Sequence, residues 1–549
     1  MPASRWHERP GEPGETRVEV LLVGYQDQGN LGMGYLAAVL HENGHTVELV
    51  DVRDGPDLIA QRVRDTQPLV VGFSLIFQFF LPQFRDVAIR LRADGASAHQ
   101  TIGGHYASLC PDEVLAQMPE LDSVARYEGE ATLLDLVNHL AAGEDWHSVP
   151  GLAFAAPDGS MQESAPRALV QDLDSLPLPM RPHDPELILG FRTMPLLASR
   201  GCARQCSFCS IHTFYRTAPG KVVRIRSAER VIDEMRLLYD ERGVRVFLFQ
   251  DDDFPLWGRS GAKWVDQLAG HLHASGLADK VLWKISCRAE YVEPGLFAPL
   301  RDVGLYMVYM GIESGVEAGL QVLHKQMTVQ QNLDGVRILK ELGIAFSYGF
   351  MLFDPSSTFD SVRQNIGFLR QIVGDGSAGA LFCRMLPYGG TPIRDQLAFE
   401  GRLRGDVTHP DYDFLDTRLN VYHGLLDRAV AHWVHNHGVS HQLNWARDEL
   451  GTVARLVPGL EGVTDYDRAL RRLTAASNEA LFRLVEQSSV DFERNGAAPD
   501  ELAARGTAAG IQHELLGLRN AFVRRNADAL LLAIDVTEVV GPVMAPQVH

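Results

Sequence analysis

Short continuous apolar runs alternate with amphipathic stretches over two long regions of the chain. In the first region, residues 18–25, 47–52, 69–74, 100–103 and 123–127 read as strands, because compact apolar runs bounded by polar or glycine signals suit strands buried on both faces. The intervening spacing predicts a helix that opens at Leu31 and closes near Gly44, a second over 58–65 and a third over 82–93. Strands separated by helices in this way predict a doubly wound parallel sheet, whose ligands lie at the carboxyl ends of its strands.

The alternation returns between residues 193 and 385. Strands are expected at 194–199, 246–251, 282–287, 307–311, 346–351 and 380–385, with helices at 228–242, 261–274, 296–303 and 331–342. Six such repeats fit a partial (β/α)6 barrel, again with its chemistry at the strands' carboxyl ends. Between the two regions, 146–190 is rich in proline and reads as a linker with a small hairpin around Asp158-Gly159. After about residue 400 only helical periodicity remains, over 425–435, 441–456, 466–494 and 499–533. The expected organisation is therefore a loose leader (1–16), a Rossmann-like domain (17–145), a linker (146–190), a barrel (191–395) and a helical cap (396–549).

Composition narrows the picture. The chain has 549 residues with 51 Lys plus Arg against 70 Asp plus Glu, a net charge of −19, which argues against a phosphate-backbone partner. No apolar run reaches the roughly 18 residues of a membrane span, and the first residues lack the apolar core of a signal peptide, so a soluble cytoplasmic protein is expected. Of six cysteines, Cys202, Cys206 and Cys209 crowd together, while Cys110, Cys287 and Cys383 are scattered and read as buried or structural thiols. Dense His432, Trp433, His435, His437, His441 and Trp445 match no trusted ligand spacing and read as packing and pocket-lining residues of the cap.

The segment Ser199-Arg200-Gly201-Cys202-Ala203-Arg204-Gln205-Cys206-Ser207-Phe208-Cys209 is a CxxxCxxC motif directly after a barrel strand. Thiolates suit iron, and three of them leave one iron of a [4Fe–4S] cluster open to a chelating ligand. Structural zinc would need a fourth ligand, for which His212 is the candidate, but the surrounding barrel pattern favours the cluster. The motif, the aromatic Phe208 before its third cysteine and its placement resemble the radical S-adenosylmethionine (SAM) enzymes over about residues 190–390.

That resemblance implies roles for other strand ends. Asp251, Asp252 or Asp253 would position the SAM amino group, and Arg288 would meet its carboxylate. Glu313 and Ser314 of a Gly-x-Glu-Ser element would face SAM, and the strand leading to Pro355 would pass the adenine. The region in front of the barrel resembles the cobalamin-binding domain of the same enzymes. Gly29, Asn30, Leu31 and Gly32 lie after the first strand, Ser74 and Leu75 end the third, Gly103, Gly104 and His105 follow the fourth, and Glu128 and Gly129 follow the fifth. Small residues there let a flat ring approach the backbone. In Asp27-Gln28-Gly29-Asn30-Leu31-Gly32, Gly29 stands where the Asp-x-His-x-x-Gly motif has its cobalt-binding histidine, so that ligand is missing from this loop.

The resemblance to cobalamin-binding radical SAM enzymes (class B methyltransferase-like) implies methyl transfer from SAM via methylcobalamin to a carbon of a small-molecule, natural-product substrate, through a 5′-deoxyadenosyl radical. It also implies an electron donor such as flavodoxin or ferredoxin. A non-methylating cobalamin-dependent cyclase or oxidase is the alternative. A tRNA methylthiolase, normally ending in a basic β-barrel, and a non-enzymatic cofactor sensor rank lower. Should a general base act, Tyr309, Tyr348 and Tyr388 are the candidates at strand ends.

Overall fold

The computed structural model describes residues 18–26, 29–181, 185–188 and 190–533; the expected leader, and Asp27 and Gln28 of the glycine loop, lie outside them. Packing divides the chain into two interleaved units. One comprises Met1–Asp184, Ser199–Arg226 and Leu386–Tyr412, and the other Pro185–Ala198, Ser227–Met385 and Asp413–His549. This differs from the consecutive segments expected above. The cysteine segment packs with the amino-terminal sheet because its side chains find their ion-pair partners there.

The first unit is built on β1 (Val20–Gly24), β2 (Val47–Asp51), β3 (Val70–Ser74), β4 (His99–Gly103), β5 (Ser123–Ala125), β6 (Leu152–Ala155) and β7 (Met161–Glu163), in spatial order β2-β1-β3-β4-β5-β6-β7. The first five strands are parallel. Their side chains feed cores on both faces: Leu21, Val23 and Phe73 go to one, Val20, Leu22 and Val70 to the other. Two-sided burial is why β1 and β3 read as unbroken apolar runs, whereas β2 at the sheet edge is partly exposed throughout. The segment expected to be a linker with a small hairpin around Asp158-Gly159 does form that hairpin, and through it extends this sheet. The β6–β7 hairpin turns at Gly159 (φ 83°), and β6 pairs antiparallel with β5 because Leu152 and Ala153 supply buried side chains.

The second unit begins with β8 (Glu186–Ile188), antiparallel to β9 (Phe191–Leu196). The chain then contributes β10 (Ser199–Arg200) and β11 (Arg224–Ile225), an antiparallel pair, to the first unit. It returns for β12 (Val246–Phe249), β13 (Leu282–Cys287), β14 (Leu305–Glu313), β15 (Ala345–Phe353) and β16 (Cys383–Arg384). β9 and β12–β16 are parallel neighbours, the six-stranded half-barrel that the sequence predicts, with β8 as an added edge.

The two faces of this sheet differ sharply. On one, Trp283, Ile285, Val308, Met310, Phe346 and Phe350 are buried. On the other, Leu248, Lys284, Ser286, Tyr309, Ser347 and Met351 are each partly accessible, so they line an open lumen. Strand alternation produces this contrast directly. Helix Val439–Leu456 closes the amino-terminal end of the lumen, with Leu450, Val453 and Val457 packed on Phe191, Leu282 and Tyr306. Helix Val463–Asn495 is tied to helix Phe359–Val373 by Arg370, which donates to Glu479 and Glu486. The expected packing role of the aromatic- and histidine-rich cap fits its local bonds: Trp433 donates to Ser477, Trp445 to Glu449, and His435 pairs with Asp427. Among the described residues, no helix is long and apolar enough to cross a membrane.

Candidate active site

In the first unit, the strand order reverses between β1 and β3, and the loops at such a switch point part to leave a crevice at the strands' carboxyl ends. The loop after β1 holds its shape through Asn30, which donates to the Tyr25 carbonyl (2.6 Å) and caps helix Leu31–Glu42 by accepting from the Met33 N–H (3.2 Å). Gly29 is in the left-handed region (φ 75°), and Leu31 is buried beneath the loop. Tyr25 and Phe80, from the loops after β1 and β3, meet with ring centroids 4.4 Å apart.

Leu75 donates to Gly103 (2.8 Å), and Gly104 (φ 102°) lies so close that a Cβ there would stand 2.3 Å from the Leu75 carbonyl oxygen. Ser74, Gly103, Gly104 and His105 are partly accessible where the buried strands end. This rim is poor in side chains and suits the approach of a flat macrocycle. His105 packs against Phe214 (4.4 Å), and desolvation lowers its pKa to about 4, so it is neutral although one edge stays accessible.

Glu128 departs from its expected role. Both its oxygens lie 2.8 Å from Arg224 Nη1, Oε1 also lies 3.3 Å from Arg200, and Oε2 accepts from the Val170 N–H (2.7 Å). Arg200 reaches Glu130 as well (2.7 Å). Arg200 and Arg224 are register partners in β10–β11, so one hairpin delivers both guanidiniums to the turn after β5. Glu128 is thereby committed to ion pairs. Gly129 packs under Leu36, to whose Cδ2 a Cβ at this position would stand 3.2 Å away.

That hairpin brackets the cysteines. Gly201 (φ 87°) precedes Cys202, and a Cβ there would stand 2.1 Å from the Val222 carbonyl oxygen, so the entry to the loop demands glycine. The Arg204 N–H lies 3.4 Å from Cys202 Sγ, Phe208 is half-buried, and Cys209 stands at the amino-terminal cap position of helix Ser210–Thr217. Among the described residues, no three His, Cys, Asp or Glu side chains are arranged around one ion, so Cys202, Cys206, Cys209 and His212 do not form a ready zinc set. Three thiols on a short loop do suit the separate iron corners of a cluster.

In the second unit, the acidic run after β12 sorts itself. Asp251 accepts from the Ala198 N–H (3.1 Å), Asp252 is exposed and Asp253 is buried. After β13, Arg288 is buried, donates to Glu290 (2.7 Å) and reaches the Lys325 carbonyl. Glu313, in the left-handed region (φ 64°), pairs with Lys325 (3.0 Å). Lys325 was missed by sequence reasoning; its rarity was the available signal, since the chain has only six lysines. Ser314 accepts from the Val316 N–H (3.1 Å) and donates to Asn365 (3.3 Å), which makes it a loop brace.

The tyrosines separate too. Tyr309 faces the lumen beside Gly349, where a Cβ would stand 2.6 Å from its hydroxyl, and its pKa is raised by burial and by Glu313. Tyr348 is corrected: alternation turns it to the buried face, and its hydroxyl accepts from the Leu381 N–H (3.3 Å). Tyr388 belongs to the first unit, against Phe77 and Phe79. Cys383 is also corrected. It is exposed on the lumen side, where its thiol donates to the Phe350 carbonyl (3.5 Å) and lies within the electrostatic reach of Tyr309 and Glu313, whereas Cys110 and Cys287 are buried as expected, with thiol pKa values raised by desolvation.

The chain thus combines a doubly wound sheet with an open switch-point rim, a CxxxCxxC loop and a parallel half-barrel. Residues 19–137 match the B12 binding domain and residues 196–369 the radical SAM superfamily, so the chain belongs to the cobalamin-binding radical SAM enzymes, with a [4Fe–4S] cluster, SAM and cobalamin as cofactors. The chain is 29% identical over 370 residues to an uncharacterized methyltransferase of Pyrococcus horikoshii, covering 66% of this chain and 77% of that one. It is 26% identical to the anaerobic magnesium-protoporphyrin IX monomethyl ester cyclase of Cereibacter sphaeroides, covering 60% of this chain and 55% of the cyclase. In fold it resembles the cobalamin-dependent SAM radical enzyme OxsB with aqua-cobalamin bound (TM-score 0.67, 18% identity, 93% of this chain and 84% of that one).

Proposed function

We propose that this enzyme is a radical SAM C-methyltransferase that moves a methyl group from SAM to a carbon of a small-molecule, natural-product substrate. The observation that carries the reading is the open lumen of β12–β15, whose mixed wall of Leu248, Lys284, Ser286, Tyr309, Ser347 and Met351 offers a small molecule both apolar and polar contacts. Likeness to a protein named as a methyltransferase supports the reaction type.

Cys202, Cys206 and Cys209 would hold three irons of the cluster. Asp253, Arg288 and the Glu313–Lys325 pair would bind the polar ends of SAM, and the loops after β1, β3 and β4 would seat cobalamin. When bound, these groups supply a carbon-centred oxidant and a transferable methyl group. The chain's own residues bind, orient and exclude water. Tyr309, kept protonated by burial and by Glu313, would offer its hydroxyl proton to a substrate group in the lumen. A small electron donor such as flavodoxin or ferredoxin would reduce the cluster.

A non-methylating ring closure or oxidation is the second reading, favoured by the likeness to the cyclase. Anaerobically reconstituted protein given SAM with a deuterated methyl group and fractionated small-molecule extracts distinguishes the two. A product carrying the intact CD3 supports methyl transfer. A product without label, formed together with 5′-deoxyadenosine, supports the second reading.

A further inference from the structure

Lys284 is the one cation among the lumen-facing residues of β12–β15. Its register partners are Leu248 on β12 and Met307 on β14, so its stem runs between apolar neighbours. One layer nearer the strands' carboxyl ends lie Ser286, Tyr309 and Ser347, which are register partners of one another. One layer towards the amino-terminal ends, Leu282 is sealed by Leu450 and Val453 of helix Val439–Leu456. The ammonium therefore sits at the floor of the lumen, above an apolar plug and below a polar ring.

Asp448, on the plugging helix, is the carboxylate whose field reaches Lys284. Among the described residues, the ammonium makes neither an ion pair nor a hydrogen bond. A desolvated cation with apolar walls and a hydroxyl-bearing ring above it is a receptor for a compact anion.

We propose that Lys284 anchors a carboxylate or phosphate group of the substrate at the floor of the lumen, with Asp448 as the counter-charge that the substrate's anion replaces. The proposal names the substrate class for the small-molecule reading above and rests on it. Electrostatics favour the exchange. Burial raises the Asp448 pKa to about 7 against the opposing pull of Lys284 and Arg447, with Glu449 adding to the rise, so Asp448 can take up a proton when an anion arrives. Lys284 from β13 and Tyr306 from β14 face this carboxyl, and Arg447 and Glu449 flank it on its own helix. Burial also lowers the Lys284 pKa, which leaves its amine reactive.

Six lysines make the test direct. Reconstituted holoenzyme is acetylated with a small neutral reagent, N-acetoxysuccinimide, and the rate at each lysine is read by peptide mass spectrometry, with exposed Lys280 as internal reference. Lys284 is expected to react, and inorganic phosphate or succinate is expected to slow it several-fold without changing Lys280. Phosphate alone protecting assigns a phosphate-bearing substrate, and succinate alone a carboxylate. In Asp448→Asn, protection is expected at lower anion concentration, because no carboxylate competes. The proposal is overturned if Lys284 stays unmodified while Lys280 reacts, or if neither anion changes its rate. Anion protection in an enzyme that transfers no methyl group would retain this site and reject only the reaction.

Discussion

Arg224 and Glu128, 96 residues apart in the chain, form a buried ion pair in which one guanidinium nitrogen lies 2.8 Å from both carboxylate oxygens. The pair joins the exit of the cysteine loop to the turn after β5, within one packing unit. Removing one partner strands the other charge in the interior, which typically costs about 3–5 kcal/mol. Arg224→Met is therefore expected to lower the unfolding midpoint and the iron retained per chain after reconstitution, with Glu128→Gln milder. Unchanged iron and stability would show that the hairpin is held by other contacts.

On the proposed reading, the cysteine loop and the switch-point rim would hold different groups. Cys202→Ser, Cys206→Ser and Cys209→Ser are each expected to drop iron to background, while cobalt content after hydroxocobalamin loading stays near one per chain. Parallel loss of cobalt would mean that the loop also shapes the cobalamin seat.

Glu313 and Lys325 are both buried, so Lys325→Met leaves a lone interior carboxylate, and a loss of about 3 kcal/mol is expected. Glu313→Gln is expected to weaken SAM binding and to reduce 5′-deoxyadenosine formation. The double variant should be less unstable than the two single losses summed, since each removes the same pair. Additive losses would contradict the coupling.

Burial lowers the pKa values of His99 and His105 to about 4 from an ordinary value of 6.5. Between those values the unfolded chain holds protons that the native imidazoles do not. Stability is therefore expected to fall as pH drops from about 6.5 towards 4 and to be insensitive to these groups above that window. The contribution is up to about 3 kcal/mol for buried His99 and less for part-exposed His105. Urea midpoints at several pH values test this, and His99→Asn should flatten the acid limb. An unchanged limb would assign it elsewhere.

Gly349 abuts the Tyr309 hydroxyl, so Gly349→Ala must displace that ring from the lumen wall. Activity is expected to fall more than stability, as measured by turnover beside thermal unfolding. A fully active Gly349→Ala enzyme would remove Tyr309 from the substrate wall.

Much of this protein was legible in its sequence. Apolar runs located the central strands of the first sheet, which are buried on two faces, and apolar-rich runs separated by helical stretches located those of the half-barrel, while the CxxxCxxC spacing announced its chemistry because three thiolates within eight residues have few other uses. The turn residues Asp158-Gly159 marked the hairpin of β6 and β7, but local pattern could not show that it extends the first sheet at the β5 edge. Nor could it show that Glu128 is spent on Arg224 and Arg200, that Lys325 completes the Glu313 site, or that Tyr348 turns away from the lumen while Tyr309 lines it. Local pattern determined the elements and the cysteine chemistry, because propensity and spacing act over a few residues. Only the tertiary structure decided which charges meet and which strand face opens to a ligand, because those depend on residues brought together from distant parts of the chain.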